Sequence, residues 1–181
     1  MEVVRRMFAE FWRLMKRDKI CLDISIVNEK LAVGAAPKSF GEVRELQHLG
    51  FCHVIDLRAE RRKSDILAKS PDMQIAWLPT YDDWKPKSFH FFKSILLEIN
   101  KIDFQRDAIK LCICCGAGEH RAPLVGTLAL VTLGYSLEDA ALLIKKARPR
   151  AEFLSIYISC LQNFIQTVGV EEVRPSKSFV K

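Results

Sequence analysis

One stretch constrains this chain more than any other. A strand-length, mostly apolar run from Ala108 to Cys114 passes without a spacer into the loop Cys115, Gly116, Ala117, Gly118, Glu119, His120, Arg121, and a helix opens at once near Ala122 and Pro123. The two glycines let the backbone turn without a Cβ penalty, and Pro123 suits the first turn of a helix, where no N–H is required. Strand, tight loop and helix N-terminus in this order aim successive backbone N–H groups at one point, and that point favours an anion. A thiol held there is favoured as its thiolate. An arginine at the far end of the loop adds a planar fork that matches two oxygens of a phosphate. The expectation is a phosphate cradle made by Gly116, Ala117, Gly118, Glu119, His120 and Arg121, with Cys115 as nucleophile and Arg121 as the charge that follows the phosphoryl group into its transition state.

The spacing Cys-x5-Arg proves little by itself, since Cys52 and Arg58 share it. Between them lies His53-Val54-Ile55-Asp56-Leu57, a strand-like sequence. An extended chain rising ~3.3 Å per residue would hold its two ends roughly 20 Å apart, too far to grip one phosphate. The glycines and the flanking elements, not the spacing, single out the second copy.

With 181 residues and 49% hydrophobic content, the chain can bury one core and is short for two. Ile24 to Val33 reads as a strand pair turning at Asn28-Glu29-Lys30, Ser39 caps a helix that Gly50 stops, and Phe51 to Leu57 is a strand. Gln74 to Leu78 is a further short strand ended by Pro79, and Phe89 to Ile102 has helical spacing. Helices are expected over Leu124 to Leu133, from Ser136 onward, and over Glu152 to Gln166. Strands alternating with helices predict a single α/β domain with a central, mostly parallel twisted sheet flanked by helices.

Residues 21–168 form that domain. Residues 1–20 read as a basic amphipathic helix, with Val3, Val4, Met7, Phe8, Phe11, Trp12 and Met15 on one face and Arg5, Arg6, Arg13, Lys16 and Arg17 mostly off it. Its apolar face is expected to pack on the domain, with peripheral contact with an anionic membrane as the alternative. Residues 169–181 read as a flexible basic tail.

A net charge of +6 points to an anionic partner. No aromatic stacking motif accompanies the charge, so nucleic acid is not expected. Of the six cysteines, Cys112, Cys114 and Cys115 crowd into one run. Adjacent cysteines make a poor staple, which predicts a reducing cytoplasm. They also lack Cys-x-x-Cys spacing, so neither a metal nor another cofactor is expected. No run of apolar residues is long enough to span a bilayer, and the N-terminus lacks the pattern of a secretory signal.

Cys115-x-Ala117-Gly118-x-x-Arg121-Ala122-Pro123 after a strand resembles the signature of the dual-specificity branch of the protein tyrosine phosphatase superfamily. Ile26 to Gly34 followed by Pro37 and Ser39 is similar to the entry segment of small members, and His53 to Arg58 is like their next strand. The resemblance implies a phosphomonoester hydrolase working through a phosphocysteine intermediate on a phosphorylated protein. A small ester, a phosphoglucan or a phosphoinositide is the alternative substrate. It also implies a general acid on an upstream loop, because the leaving oxygen must be protonated as its bond to phosphorus breaks. Pro79-Thr80-Tyr81-Asp82-Asp83-Trp84-Lys85-Pro86 resembles that loop; Asp82 is the closer match and Asp83 the substitute.

Two positions depart from the family pattern. Cys114 stands where members usually carry His, and Ala122 where most carry Ser or Thr, which predicts slower turnover. Cys112 and Cys114 are either small buried strand residues or resolving thiols for an oxidised Cys115. Glu119 in the loop disfavours polyanionic head groups, while Arg58, Arg61, Arg62, Lys63, Lys85 and Lys87 are candidates for a basic rim or an ordinary solvated surface. The rival readings are a sulfur-transfer or arsenate-reducing enzyme and a non-catalytic phosphate-binding module.

Overall fold

The strand that delivers the chain to Cys115 lies at the centre of a five-stranded sheet. The computed structural model describes residues 21–62, 65–104, 109–169 and 173; the N-terminal amphipathic helix expected over residues 1–20 lies outside them. Strand β1 (Ile24–Ile26) forms an antiparallel hairpin with β2 (Leu31–Ala35). The Asn28 side chain closes the turn by accepting from the N–H groups of Lys30 and Leu31, both at 2.9 Å. Strands β3 (His53–Arg58), β4 (Gln74–Thr80) and β5 (Leu111–Cys115) complete the order β1-β2-β5-β3-β4, with every pairing after the first parallel. All five residues of β5 are buried, as a strand covered on both faces must be.

Strand β4 continues through Pro79, where the sequence predicts its end. It is an edge strand paired only to β3, and on an outer edge a proline without an N–H costs the ladder nothing.

Alternation along β5 separates two cores. Leu111, Ile113 and Cys115 join the cluster built with helices α2 (Phe89–Asn100), α3 (Arg121–Thr132), α4 (Leu137–Ala147) and α5 (Ser155–Val168). Cys112 and Cys114 face the other way, among Val43 and Leu46 of helix α1 (Phe40–His48), Phe51 and Leu67. This corrects the resolving-thiol reading. Neighbouring strand residues point to opposite faces, so Cys114 projects away from the Cys115 thiol. Burial also pushes the Cys112 thiol up to about 12 and Cys114 well above its ordinary value. Both are protonated packing residues.

The helix starts follow local chemistry. Ser39, Ser88 and Ser136 each accept a backbone N–H from the first turn, of Glu42, Phe91 and Asp139 respectively. Helix α3 differs: every one of its residues is buried and its N-cap, His120, makes no side-chain capping bond. Its first-turn N–H groups are left facing the loop that precedes it. Val173, within the segment expected to be a tail, is fully buried, and its N–H donates to the Gly169 carbonyl. Among the described residues no helix is long and apolar enough to cross a membrane.

Candidate active site

Cys115 ends β5 and Arg121 begins α3, so the loop between them is held at both ends by buried elements. Gly118 is required by crowding and by its backbone, and Gly116 is tightly surrounded. A Cβ on Gly118, where φ is +70°, would lie 2.3 Å from the Gly34 carbonyl carbon, and one on Gly116 would lie 3.0 Å from a Glu60 carboxylate oxygen. Gly118 N–H donates to Cys115 Sγ at 3.2 Å, so the sulfur already occupies the focus of the loop. Its residue is 1% exposed, reached only through that cradle.

The carbonyls of the loop are turned outward and tied down. Arg148, at the end of α4, donates from Nε to Gly118 O at 2.5 Å and from Nη2 to Ala117 O at 2.8 Å. Arg150 reaches Ala117 O at 3.0 Å, and Asp23 pairs with both arginines. Carbonyls fixed outward leave the N–H groups inward, which is how a peptide loop becomes an anion site.

Arg121 is 5% exposed and directed by Glu60 and by the backbone carbonyls of Leu57 and Thr80. Its Nη1 and Nη2 form a bidentate pair with Glu60 at 3.0 and 2.9 Å, and Nη1 also donates to Thr80 O at 2.9 Å. Burial opposes its charge, but the bond to Glu60 and the nearby Cys115 and Asp82 outweigh it, so the guanidinium is held above its ordinary value. Its buried Nε makes no hydrogen bond among the described residues. Asp82 Oδ2 lies 3.5 Å from that nitrogen as an ion-pair neighbour.

Asp82 and Asp83 part company here. Asp83 accepts from Lys87 Nζ at 2.8 Å, which holds its carboxyl below the usual range, and from Lys85 N–H at 3.2 Å. Asp82 faces the loop, with His120 Nδ1 at 3.1 and 3.2 Å from its two oxygens and Tyr157 Oη donating to Oδ1 at 3.4 Å. Tyr157 also accepts the N–H of Trp84, a residue at φ +59°, while Lys87 sits 4.7 Å over the Tyr157 ring and donates to Tyr81 O. The segment carrying Asp82 is thus pinned to α5.

The six expected site residues around Cys115, from Gly116 to Arg121, follow one another on this loop and into the helix start, and Asp82 faces its end at His120 and Arg121. The Glu119 and His120 side chains do not line its interior. Glu119 lies 3.8 Å from Arg150, and His120 bridges Asp82 to Glu152, whose Oε2 is 3.3 Å from Nε2. Three of the six residues expected as a basic rim or a solvated surface are engaged internally, and Lys63 lies outside the described residues. Arg58 is spent on Asp56 and Asp65, Arg61 stacks 5.4 Å over Trp77 and pairs with Asp56, and Lys87 is the internal strut just described. Buried Asp56, which is 0% exposed, requires such partners.

Solved structures share this fold. A mouse putative dual specificity phosphatase crystallised with zinc tungstate superposes with a TM-score of 0.70 at 22% identity, covering 86% of this chain and 94% of that one. Human DUSP28 gives 0.66 at 21% identity over 80% and 94% of the two chains. PTPMT1 gives 0.66 at 18% identity over 80% and 95%. This is the dual-specificity phosphatase fold. No family model and no curated protein matches the sequence. Within the dual-specificity phosphatase fold, sequence reading missed Glu60, Arg148 and Tyr157. Each meets the site across 30 to 75 residues of chain, a separation at which no local pattern marks a partner.

Proposed function

We propose that this chain is a phosphomonoester hydrolase acting through a phosphocysteine intermediate on Cys115. The observation that carries the reading is a sulfur and an unused donor at the two ends of one loop. Cys115 Sγ accepts the Gly118 N–H, and the buried Nε of Arg121 makes no hydrogen bond among the described residues. A buried donor of this kind is costly unless an acceptor visits it, and a phosphoryl oxygen in the cradle is such an acceptor.

In the first step the Cys115 thiolate attacks phosphorus, the inward N–H groups and Arg121 take up the equatorial oxygens, and Asp82 protonates the leaving oxygen as its bond breaks. In the second step water attacks phosphorus, gives its proton to the Asp82 carboxylate, and Cys115 leaves as thiolate with inorganic phosphate. The loop carries a carboxylate, Glu119, at a position where extra phosphates would need a cation, which supports a singly phosphorylated substrate, a phosphoprotein or a small ester.

The test is phosphate release from p-nitrophenyl phosphate, phosphopeptides, phosphoglucans and phosphoinositides by the wild-type protein and Cys115→Ser. Release by the wild type that disappears in the variant is expected. Release that survives Cys115→Ser would sink the mechanism, and phosphopeptide binding without any release would make the loop a recognition module.

A further inference from the structure

The side chain of His120 bridges two carboxylates beside the cradle. Its Nδ1 faces both oxygens of Asp82 at 3.1 and 3.2 Å, and its Nε2 faces Glu152 Oε2 at 3.3 Å. The Trp84 ring packs against it edge-on, with centroids 6.0 Å apart. Other charged groups converge on the same point: Arg121 Nε is 3.5 Å from Asp82, and the Tyr157 hydroxyl is 3.4 Å from it. Asp83 is engaged with Lys87, and Glu119 with Arg150.

Asp82 therefore lies against an arginine, an imidazole and a hydroxyl donor at once. Burial opposes a charge on His120, but its bonds to Asp82 and Glu152 outweigh it, so the imidazole is held above its ordinary value. An imidazole that holds a proton more readily than usual thus lies one hydrogen bond from the carboxyl that faces the loop.

We propose that His120 is the proton reservoir of the site, supplying the leaving group through Asp82. This rests on the phosphatase reading. As the P–O bond breaks and the S–P bond forms, the Nδ1 proton crosses to an Asp82 oxygen and Asp82 delivers that same proton to the leaving oxygen. Imidazolium becomes neutral imidazole and Asp82 ends as the carboxylate it began as. In the second step the attacking water's proton travels back through Asp82 to Nδ1. Glu152 holds the far side of the ring and stabilises its charged form, acting as a positioning residue.

His120→Asn keeps an N–H donor toward Asp82 but has no proton to give. At pH 7.5 it should lose roughly 10- to 100-fold in kcat on phenyl phosphate, whose leaving group needs protonation, and less than about 3-fold on 2,4-dinitrophenyl phosphate, whose leaving group does not. The basic limb of its pH profile should move to lower pH. Glu152→Gln, at a side chain 64% exposed and suited to substitution without unfolding, should move the same limb in the same direction. Equal losses on both esters, or unmoved limbs in both variants, would overturn the relay while leaving the phosphatase reading intact. A wild-type protein inert toward both esters would instead overturn that reading, and the relay with it.

Discussion

The two adjacent carboxylates at 82 and 83 differ by one position and by almost everything around them. Asp83 is committed to Lys87 and the Lys85 N–H, a strut that holds the loop. Asp82 is the one presented to Arg121 and His120. Asp82→Asn should therefore reduce kcat on phenyl phosphate by about 10²- to 10⁴-fold, the usual contribution of a general acid, whereas Asp83→Asn should cost less than about 10-fold. Steady-state kinetics on both variants decides it, and a larger loss for Asp83→Asn would exchange the two roles. Glu60 supplies a second case at this scale. Its bidentate grip sets the plane of the Arg121 guanidinium, and Glu60→Gln keeps one of the two contacts at most. The expected outcome is a KM for p-nitrophenyl phosphate raised about 5- to 20-fold through poorer aim of the fork, measured beside circular dichroism to show an unchanged fold.

At the scale of elements, the cradle is a loop between β5 and α3, but its shape is imposed from α4. Arg148 is 3% exposed and holds the carbonyls of Ala117 and Gly118. Arg148→Met fills similar volume and leaves both carbonyls and Asp23 without that donor, which should lower stability by about 2–4 kcal/mol. A chemical-denaturation midpoint left unchanged would show that the loop holds its shape unaided. The contrast explains what was legible beforehand. The strand, the glycine loop, the Ser39 and Ser136 helix starts and the helix after Arg121 were readable because each depends on neighbours within a few residues. Arg148, Glu60 and Tyr157 were not, because their partners lie in other elements and a lone Arg, Glu or Tyr carries no mark of its destination. The same limit misled the reading of Arg58, Arg61 and Lys87. Clustered charges look like a solvated rim until the fold supplies buried Asp56 and the loop carbonyl of Tyr81. The strand through Pro79 was hidden for a related reason, since only the sheet order reveals that β4 lies at an edge.

At the scale of the whole molecule, the groups at the site mouth tie folding to pH from two sides. The folded state binds a proton at His120 more tightly than the ordinary value of 6.5 implies. Its contribution to stability is thus complete below 6.5 and is lost as pH rises through the higher folded value. Glu60 works in the opposite sense. Arg121 holds its carboxyl below the ordinary 4.5, so its contribution is present above 4.5 and is lost as pH falls through the lower folded value. Asp83, lowered by Lys87, adds to the acid side. Stability should therefore be greatest between about pH 5 and 6.5 and decline in both directions. Melting temperature followed from pH 3.5 to 9 measures this, and His120→Asn should flatten only the alkaline decline. If the alkaline decline persisted unchanged in that variant, the proton on His120 would not be coupled to the fold. A ring that did not hold its proton in the resting enzyme could not lend it to Asp82 during turnover, so a calorimeter and a pH–rate profile examine the same proton by independent means.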